Sequence, residues 1–464
     1  MDLKSLANSL PASCLPVKNS TIPFWHQGLH ELHNHRTTEQ LPESSDVVII
    51  GAGYAGISTA YHLVKGDSAD KKLSVTVLEA RGVCSGATGR NGGHLRPDMY
   101  SPMPKFIDRA GIERAVEVAE FEVAHLNAIK SLVEKEKIDC DFTLTRSIDV
   151  WCNEEAAIKA KKLYDALVSR NMNYMKDVFF VFGKDAEGIS GVKGAKACAS
   201  FTAATLWPYK LILHLTESIL QTGLVNLQTN TPVTSITRTA SGGFIVTTPR
   251  GTTLARKVVY ANNAYVSGLL PQYSQAIVPC KGLCTHISVP EGTTPPLLNN
   301  SYIVREKDEV VSYLIPRADG SIVVGGANTK YRPFLEQWYN NVDDSILIEE
   351  VKDYFDGYMQ RNFRGWENTG ARVDKVWTGV MGYSWDSNPH VGPVPGGDGQ
   401  YILAGFNGHG MPVVFLSALG IAKMVRDGIG FEDSGVPRLF QTSQERLDNA
   451  KSGPVGGDIL TKNS

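Results

Sequence analysis

A glycine-rich turn near the start of the sequence has the spacing of a dinucleotide-binding fingerprint. The run GAGYAG occupies residues 51–56 and directly follows an apolar segment at 46–50. The first glycine permits a tight turn, the second lets a pyrophosphate approach the backbone, and the third lets a helix pack closely against a strand. Free N–H groups and the helix dipole at the start of that helix favour bound phosphates. The motif therefore predicts a dinucleotide site.

An acidic residue lies where such a site needs one. Glu79 follows Gly56 by 23 residues and ends a second apolar segment at 73–78. A carboxylate in that position accepts hydrogen bonds from an adenosine ribose. The alternative is a structural turn beside a surface glutamate. Because strand, turn, helix and acid occur in the required order, we favour dinucleotide binding.

A second run of small residues, SGATGRNGGH at 85–94, bears on which dinucleotide binds. Its glycines leave room for many backbone N–H groups to contact a pyrophosphate or the edge of an isoalloxazine ring. The alternative is a flexible surface loop. The sequence contains no second dinucleotide fingerprint, so we expect FAD that is reduced by the substrate rather than by bound NADPH.

The elements that must position these motifs follow from the hydrophobic pattern. The segments at 46–50 and 73–78 are apolar throughout, as is typical of parallel strands covered on both faces, and a helix from about Ala55 to Lys65 would join them. Strand and helix alternate over 145–205, and 278–330 is rich in strand signals. Further helices are predicted at 112–137, 209–222, 343–362 and 411–427, and further strands at 225–228, 232–239, 244–248, 253–260 and 401–404.

Composition narrows the class of protein. A formal net charge of −2 provides no basic field, which argues against a nucleic-acid partner. No apolar run is long enough to span a bilayer, and the first 15 residues lack the apolar core of a secretory signal. Seven scattered cysteines, an odd number, are typical of a reduced intracellular protein. We therefore expect a cytoplasmic protein without a membrane partner.

Several separated motifs together resemble the D-amino-acid oxidase-like superfamily of FAD-dependent amine oxidoreductases. The resemblance runs from about residue 45 to 430, and within the superfamily it is strongest to the branch that contains gamma-glutamylputrescine oxidase and its fungal relatives. The motifs are VVIIGAGYAGISTAYHL, VTVLEAR, SGATGRNGG, PYKL at 208–211, ANNAY at 261–265, VWTGVMGYSWDSNPHVGPV at 376–394 and AGFNGHGM at 404–411.

The resemblance implies an α/β flavoprotein. Its Rossmann-like FAD-binding domain would be of the glutathione reductase/p-hydroxybenzoate hydroxylase type, and its substrate domain would be built on a mixed β-sheet. We expect an arm at 1–44, an FAD-binding domain from 45–100, 206–270 and 375–440, a substrate domain from 101–205 and 271–374, and a C-terminal tail at 441–464.

The resemblance also implies noncovalent FAD. Some relatives attach the flavin through a cysteine where this chain has Met381, and others through a histidine where it has Arg90. The loop at 408–411 would direct N–H groups at the flavin pyrimidine ring, and Val233 would contact adenine through its main chain. The residues expected to hold FAD are Gly51, Gly53, Tyr54, Ala55, Gly56, Glu79, Ala80, Arg81, Thr88, Gly89, Arg90, Asn91, Gly92, Gly93, Val233, Asn263, Gly405, Gly408, His409, Gly410 and Met411.

The catalytic candidates are positioning groups. Amine oxidation at a flavin needs a well-placed substrate C–H and little acid–base help. Arg96 would clamp a carboxylate through two hydrogen bonds or else form a surface ion pair. Tyr383 is a site residue or a core residue, and His409 acts directly or only packs in its turn. The full set is His94, Arg96, Tyr383, Trp385 and His409.

The predicted reaction is hydride transfer from a C–N carbon of a small amine or amino acid to FAD, giving an imine, followed by reoxidation with oxygen and release of hydrogen peroxide. Sarcosine oxidase-like relatives use one lysine for oxygen reactivity and another for the substrate carboxylate, whereas this chain has Val323 and Pro412 there. Three alternatives stay open: a dehydrogenase with another electron acceptor, a catalytically silent flavin-binding subunit, and an NAD-dependent dehydrogenase.

Two other groups of residues could bind metal or form a disulfide. Histidines at 26, 30, 33 and 35 have partly helical spacing, but no Cys or Asp accompanies them. We expect a solvated arm, anchored by Phe24 and Trp25, rather than a metal site. Cys280 and Cys284 would lie roughly 13 Å apart on one face of a strand, so we expect buried thiols.

Overall fold

The computed structural model describes residues 14–65 and 72–461. The strands in these ranges are β1 (Ser44–Ile50), β2 (Val75–Leu78), β3 (His94–Leu95), β4 (Thr143–Trp151), β5 (Phe179–Phe182), β6 (Ala197–Thr205), β7 (Val225–Gln228), β8 (Ser235–Arg238), β9 (Phe244–Thr248), β10 (Gly251–Tyr260), β11 (Ile277–Ser288), β12 (Ser301–Arg305), β13 (Val311–Pro316), β14 (Ile322–Gly326), β15 (Arg372–Ser384), β16 (His390–Pro393) and β17 (Gln400–Ala404). The helices are α1 (Tyr54–Lys65), α2 (Met103–Ala110), α3 (Ile112–Glu136), α4 (Glu154–Val168), α5 (Asp185–Ser190), α6 (Pro208–Leu220), α7 (Asn328–Tyr331), α8 (Leu335–Trp338), α9 (Tyr358–Asn362), α10 (Val414–Asp427), α11 (Gln444–Ser452) and α12 (Asp458–Thr461).

The first sheet has a parallel centre, in the order β16-β17-β10-β1-β2-β7. β1 pairs in parallel with β2 and β10, and β16 pairs antiparallel at the edge. β8 and β9 continue antiparallel from β10. Ile49 of β1 and Ile57 of α1 are fully buried in one apolar cluster, to which α10 contributes Ile421. The predicted βαβ unit is confirmed, and its strands are apolar on both faces because helices cover them.

The second sheet is mixed, in the order β15-β11-β14-β13-β12-β4-β6-β3, with β5 paired to β6. Only β12 and β4 in this sheet run parallel to each other within the described residues. The predicted α/β class with a second mixed sheet is confirmed. β15 runs unbroken from Arg372 to Ser384 in this sheet, across the boundary that the sequence analysis placed at 375.

The predicted helix at 343–362 is wrong over most of its length. Only α9 is helical there, and a 3₁₀ turn covers Glu349–Val351. Local side-chain bonds explain the difference: Asp343 Oδ1 accepts from Ser345 N at 2.9 Å, and Asn341 Oδ1 accepts from Asp343 N at 2.9 Å. Bonds of this kind compete with the backbone bonds that start a helix.

The N-terminal arm is packed against the rest of the chain. Phe24 and Trp25 are buried, as predicted, with exposed fractions of 4% and 0%. The prediction of a solvated arm is wrong for His26 and His33, because both rings lie against Tyr209, with centroids 4.7 and 5.8 Å from the phenol ring. The part of the arm at 1–13 lies outside the described residues.

The cysteine prediction is confirmed. Cys280 and Cys284 lie on β11, and both are buried free thiols. Within the part of the chain that the structure describes, the helices are too short or too polar to cross a membrane.

Candidate active site

A cavity of about 680 Å³ lies between elements of the two sheets. Ile50 and Leu78 line it from the first sheet, and Leu283, Tyr313 and Val380 line it from the second. Ligand sites usually have volumes of about 300–1,000 Å³. The glycine turn, the acid after β2, the second glycine run and the closing loop of the sequence analysis all reach this cavity.

Glu79 marks one end of the cavity. The register of β1 and β2 pairs Ile50 with Leu78, so Glu79 lies beside the turn that follows β1. Its Oε2 accepts from Ala52 N and its Oε1 accepts from Arg81 N, both at 2.8 Å. A carboxylate has about four acceptor sites. The two backbone bonds fix this carboxylate and leave capacity for ribose hydroxyls.

The glycine turn has no room for side chains. A Cβ on Gly51 would lie 2.8 Å from Ala261 O, and a Cβ on Gly56 would lie 1.8 Å from Gly51 O. Gly53 faces Thr88, whose Oγ1 would be 3.1 Å from a Cβ there. The same oxygen accepts from Tyr54 N at 3.0 Å, at the first residue of α1. The bare backbone at a helix N-terminus, beside a fixed carboxylate, fits an adenine dinucleotide.

Arg90 lines the cavity, but its guanidinium is bound elsewhere. Nε donates to Ser85 O at 2.9 Å and lies 3.3 Å from Asp344 Oδ2, and Nη1 donates to Thr378 O at 2.7 Å. Burial lowers the pKa of Arg90 to about 10, although Asp344 acts in the opposite direction. Arg81 shares the same Asp344 carboxylate at 3.1 Å. The two arginine side chains thus fix the glycine run rather than pointing freely into the cavity.

The closing loop connects β17 to α10. Asn263 Oδ1 accepts from Gly405 N at 2.9 Å and Phe406 N at 3.3 Å, so Asn263 shapes the loop. Gly405 and Gly408 have φ of +74° and +73°, a conformation that favours glycine. A Cβ on Gly408 would lie 3.0 Å from the hydroxyl of Tyr383. This geometry places the backbone of 408–411 along the cavity wall before α10 begins.

His409 is paired with a buried carboxylate. Its Nε2 lies 3.0 Å from Oε2 of Glu122, which has a side-chain exposure of 4% and also accepts from Asp98 N at 2.6 Å. Burial lowers the pKa of His409, but the Glu122 carboxylate outweighs it, and the net pKa lies above the ordinary histidine value. His409 therefore lines the cavity with a hydrogen-bonded carboxylate beside it that favours its charged form.

Arg96 lies in an internal ion pair. Its Nη2 donates to both oxygens of the fully buried Asp149, at 2.9 and 2.8 Å, and Arg305 Nη1 lies 3.4 Å from the same carboxylate. Burial lowers the pKa of Arg96, but Asp149 and Asp98 raise it more, so it stays charged. The surface ion pair considered from the sequence is therefore wrong. Arg96 Nε is buried and has no hydrogen-bond partner among the described residues.

His94 and three tyrosines give the cavity a neutral hydrogen-bonding wall. His94 Nε2 lies 2.7 Å from Ser301 Oγ, and burial lowers its pKa to about 3, so the imidazole is neutral at physiological pH. Burial raises the pKa of the phenols of Tyr313, Tyr331 and Tyr383 above their ordinary value. Each of these three rings lines the cavity.

The candidates predicted from the sequence come together, with a few exceptions. His94, Arg96, Tyr383 and His409 all line the cavity. Trp385 does not, because its indole faces away and donates to Pro454 O at 2.9 Å. The predicted cofactor residues that line the cavity are Gly51, Gly53, Tyr54, Ala55, Glu79, Ala80, Arg81, Thr88, Arg90, Asn91, Gly92, Val233, Asn263, Gly408, His409, Gly410 and Met411, and those that pack behind it are Gly56, Gly89, Gly93 and Gly405.

Sequence reasoning missed several residues of the site. Tyr313 and Tyr331 carry no motif, and Glu122 has the appearance of a surface residue on a long helix. Asp149 lies in a strand, and an acidic residue at a buried strand position is unusual enough to be noticed in the sequence as a candidate site residue. The arm contributes Cys14–Pro16 to the cavity. These residues come from segments that are remote in sequence, and only the fold brings them together.

The model of the family described as DAO, FAD dependent oxidoreductase, matches residues 46–427. The chain belongs to this family of FAD-dependent oxidoreductases, and the predicted cofactor, FAD, is confirmed. The resemblance stated from the sequence motifs is confirmed as well.

Individual relatives are distant but cover most of the chain. Gamma-glutamylputrescine oxidoreductase of Escherichia coli K12 is 24% identical over 82% of this chain and 83% of its own length. Glycine oxidase from Geobacillus kaustophilus has a TM-score of 0.66 and 20% identity, covering 83% of this chain and 95% of that one. L-proline dehydrogenase from P. horikoshii has the same score and identity over 84% and 95%. The two solved structures confirm the fold.

Proposed function

We propose that the chain oxidises a C–N bond of a small amine or amino acid. The C–H hydrogen would leave as a hydride, with two electrons, to noncovalently bound FAD, and one proton would leave from nitrogen, giving an imine. Dioxygen takes the two electrons and two protons to form hydrogen peroxide. This proposal goes further than family membership, which establishes only an FAD-dependent oxidoreductase.

One observation carries the proposal: a single continuous cavity is lined both by the dinucleotide elements and by the catalytic candidates. Glu79 and Gly53 lie at one part of its wall, and His94, Tyr383 and His409 at another. A small molecule beside the latter group would share the cavity with the cofactor. The names of the three relatives, which specify an amine derivative and two amino acids, support a substrate with a C–N bond.

The chain's own residues would orient the substrate and stabilise charge. Bound FAD supplies the hydride acceptor. His94 and Tyr383 are neutral, so they would hold a neutral amine by hydrogen bonds without protonating it. The three phenol rings would limit the access of water to the same wall. His409 lies in the loop before α10, and Glu122 favours its charged form, which would stabilise negative charge that develops during reduction.

Noncovalent attachment is supported by the side chains along the cavity. Met381 lines it and offers a thioether, which is a poor nucleophile. The thiol of Cys284 lies 2.7 Å from the Tyr313 hydroxyl, and burial raises its pKa to about 12, so it is not a thiolate. Acid precipitation should release all of the flavin into the supernatant. Flavin retained in the pellet would contradict noncovalent attachment.

The test of function is a substrate screen with two readouts. Purified holoprotein is incubated in air with a panel of primary amines, secondary amines and amino acids, and both peroxide and the carbonyl product of imine hydrolysis are measured. We expect one chemical class to give both products in equal amounts. The carbonyl product without peroxide, with a dye reduced instead, would show a dehydrogenase that uses another acceptor. No product with any amine would contradict the proposal.

The dehydrogenase alternative has one structural observation in its favour. Val323, at the position where sarcosine oxidase-like relatives carry a lysine, is fully buried in β14, and Pro412 lines the cavity at the second such position. Neither can place a cation beside the flavin. A catalytically silent subunit would bind FAD but show no reduction with any amine.

A cytoplasmic location is also part of the proposal. All seven cysteines lie within the described residues, and none is paired. Free thiols of this number are usual in a reducing compartment. Cell fractionation tests the location directly.

A further inference from the structure

The N-terminal arm lies outside the region matched by the family model, which begins at residue 46. It nevertheless makes specific contacts with the glycine run that lines the cavity. Trp25 Nε1 donates to Asn91 O at 2.5 Å, and His26 Nε2 lies 3.1 Å from Cys84 O. A Cβ on Gly93 would lie 3.1 Å from the Trp25 ring. The arm therefore holds the back of the loop whose front faces the cofactor cavity.

A second set of contacts joins the arm to both sheets. The hydroxyl of Thr21 donates to Asp344 O at 3.0 Å and accepts from Arg90 Nη1 and Thr378 N, both at 3.1 Å. Arg90 belongs to the glycine run, and Thr378 belongs to β15 of the second sheet. Ser20 accepts from the same guanidinium. Thr21 thus closes a junction between the glycine run, the second sheet and the arm.

The described end of the arm reaches the cavity itself. Cys14, Leu15 and Pro16 line it together with Val233 and Glu79, the residues expected at adenosine. Cys14 Sγ lies 3.6 Å from Ser267 Oγ across this end. An adenosine bound here would have arm residues against it as well as the residues of the family motifs.

We propose that residues 14–36 form a strap that closes over bound FAD and must open for the cofactor to enter or leave. The strap completes the adenosine end of the site through Cys14–Pro16. The strap is attached to the glycine run through Thr21 and Trp25. Because that run contacts FAD, its conformation and the retention of FAD both depend on the strap. Weakening the strap should therefore speed FAD release more than it destabilises the apoprotein.

The first test removes one hydroxyl from the strap. Thr21→Val keeps the shape of the side chain but loses three hydrogen bonds, and the matched control is Ile22→Val, at an exposed neighbouring position. FAD release from the full chain is followed by flavin fluorescence after dilution, and apoprotein melting is followed separately. We expect release from Thr21→Val to be roughly tenfold faster than from the control. Equal FAD release rates in the two variants would overturn the proposal. So would a decrease in the melting temperature of the apoprotein large enough to explain the whole increase in release rate.

The second test locks the strap. In Ser267→Cys, the new thiol would replace an oxygen that lies 3.6 Å from Cys14 Sγ, within reach of a disulfide after small adjustment. With the cross-link verified by thiol titration, we expect the oxidised holoprotein to release FAD at least about tenfold more slowly than the same protein after reduction. The oxidised apoprotein should take FAD up correspondingly more slowly. Equal rates in both redox states would overturn the proposal, and the Thr21→Val comparison decides independently if the cross-link does not form.

Discussion

The pair formed by His409 and Glu122 makes a quantitative prediction about the flavin environment. Glu122→Gln removes the carboxylate 3.0 Å from His409 Nε2 but keeps an amide oxygen that can accept from Asp98 N. The matched control is Glu120→Gln, the same change at an exposed position of the same helix. The variant should fold, because shape and one hydrogen bond are preserved, but it should favour the charged form of His409 less than the wild type does.

The size of the effect follows from the hydrogen bond. A bond between charged groups contributes about 1.5–3 kcal/mol, and one pKa unit corresponds to about 1.4 kcal/mol. The loss removes free energy of this size from the charged form of the imidazole, so the pKa of His409 falls. The side chain of His409 is 38% exposed, so solvent screening places the loss toward the lower end of this range.

The assay is the midpoint potential of the bound flavin as a function of pH, measured by spectroelectrochemistry. In the wild type, a break in this curve should lie above the ordinary histidine pKa of about 6.5, because the pKa of His409 is raised. Glu122→Gln should move the break to lower pH, and Glu120→Gln should leave it in place. An unchanged break in Glu122→Gln would refute the role assigned to this pair.

The same pair sets a pH dependence of stability. Because the folded-state pKa of His409 is raised, its contribution to the free energy of unfolding is fully present below about pH 6.5 and is lost as the pH rises through the folded-state pKa. Glu122→Gln should therefore lose more stability relative to wild type at pH 6 than at pH 9. Denaturant unfolding at the two pH values measures the difference, and an equal loss at both would contradict it.

Three further substitutions test other parts of the site. Glu79→Gln should weaken FAD binding by roughly 10- to 100-fold, because a charged acceptor for the ribose is lost. The same change at the exposed Glu43 should leave the affinity for FAD unchanged. An unchanged affinity of Glu79→Gln in apoprotein titrations would count against the assignment of Glu79 to the ribose. Asp149→Asn removes the carboxylate that both Arg96 and Arg305 contact and leaves Arg96 only the more distant Asp98, so the free energy of unfolding should fall by about 3–5 kcal/mol. A loss below about 1 kcal/mol in denaturant titrations would be inconsistent with the buried pair. Tyr383→Phe should lower kcat/KM about fivefold without changing FAD affinity; a change in FAD affinity alone would move this hydroxyl to the cofactor part of the cavity.

The dinucleotide end of the site was predictable because its chemistry depends on local spacing. The turn at 51–56 and Glu79 belong to one βαβ unit, and their relative positions follow from the geometry of adjacent parallel strands. The position of the closing loop was predictable from the sequence for the same reason, since a strand, a glycine loop and a helix follow each other directly.

The partners of the catalytic candidates were not predictable in this way. Glu122 lies 287 residues from His409 and Asp149 lies 53 from Arg96, and nothing local in the sequence joins either pair. The arm shows a different limit of sequence-based prediction. It is rich in Pro, Ser and His and shows no apolar periodicity, yet Phe24 and Trp25 supply enough buried aromatic surface to hold it against the rest of the chain. Such tertiary contacts override a composition that is typical of solvated segments.

The most direct test of the central claim is the visible spectrum of the purified protein, titrated anaerobically with the panel of amines and amino acids and then mixed with air-saturated buffer. We predict a flavin spectrum that one amine or amino acid bleaches and that oxygen restores, with one peroxide formed per flavin reoxidised. A flavin that no amine bleaches would contradict the proposed amine oxidation.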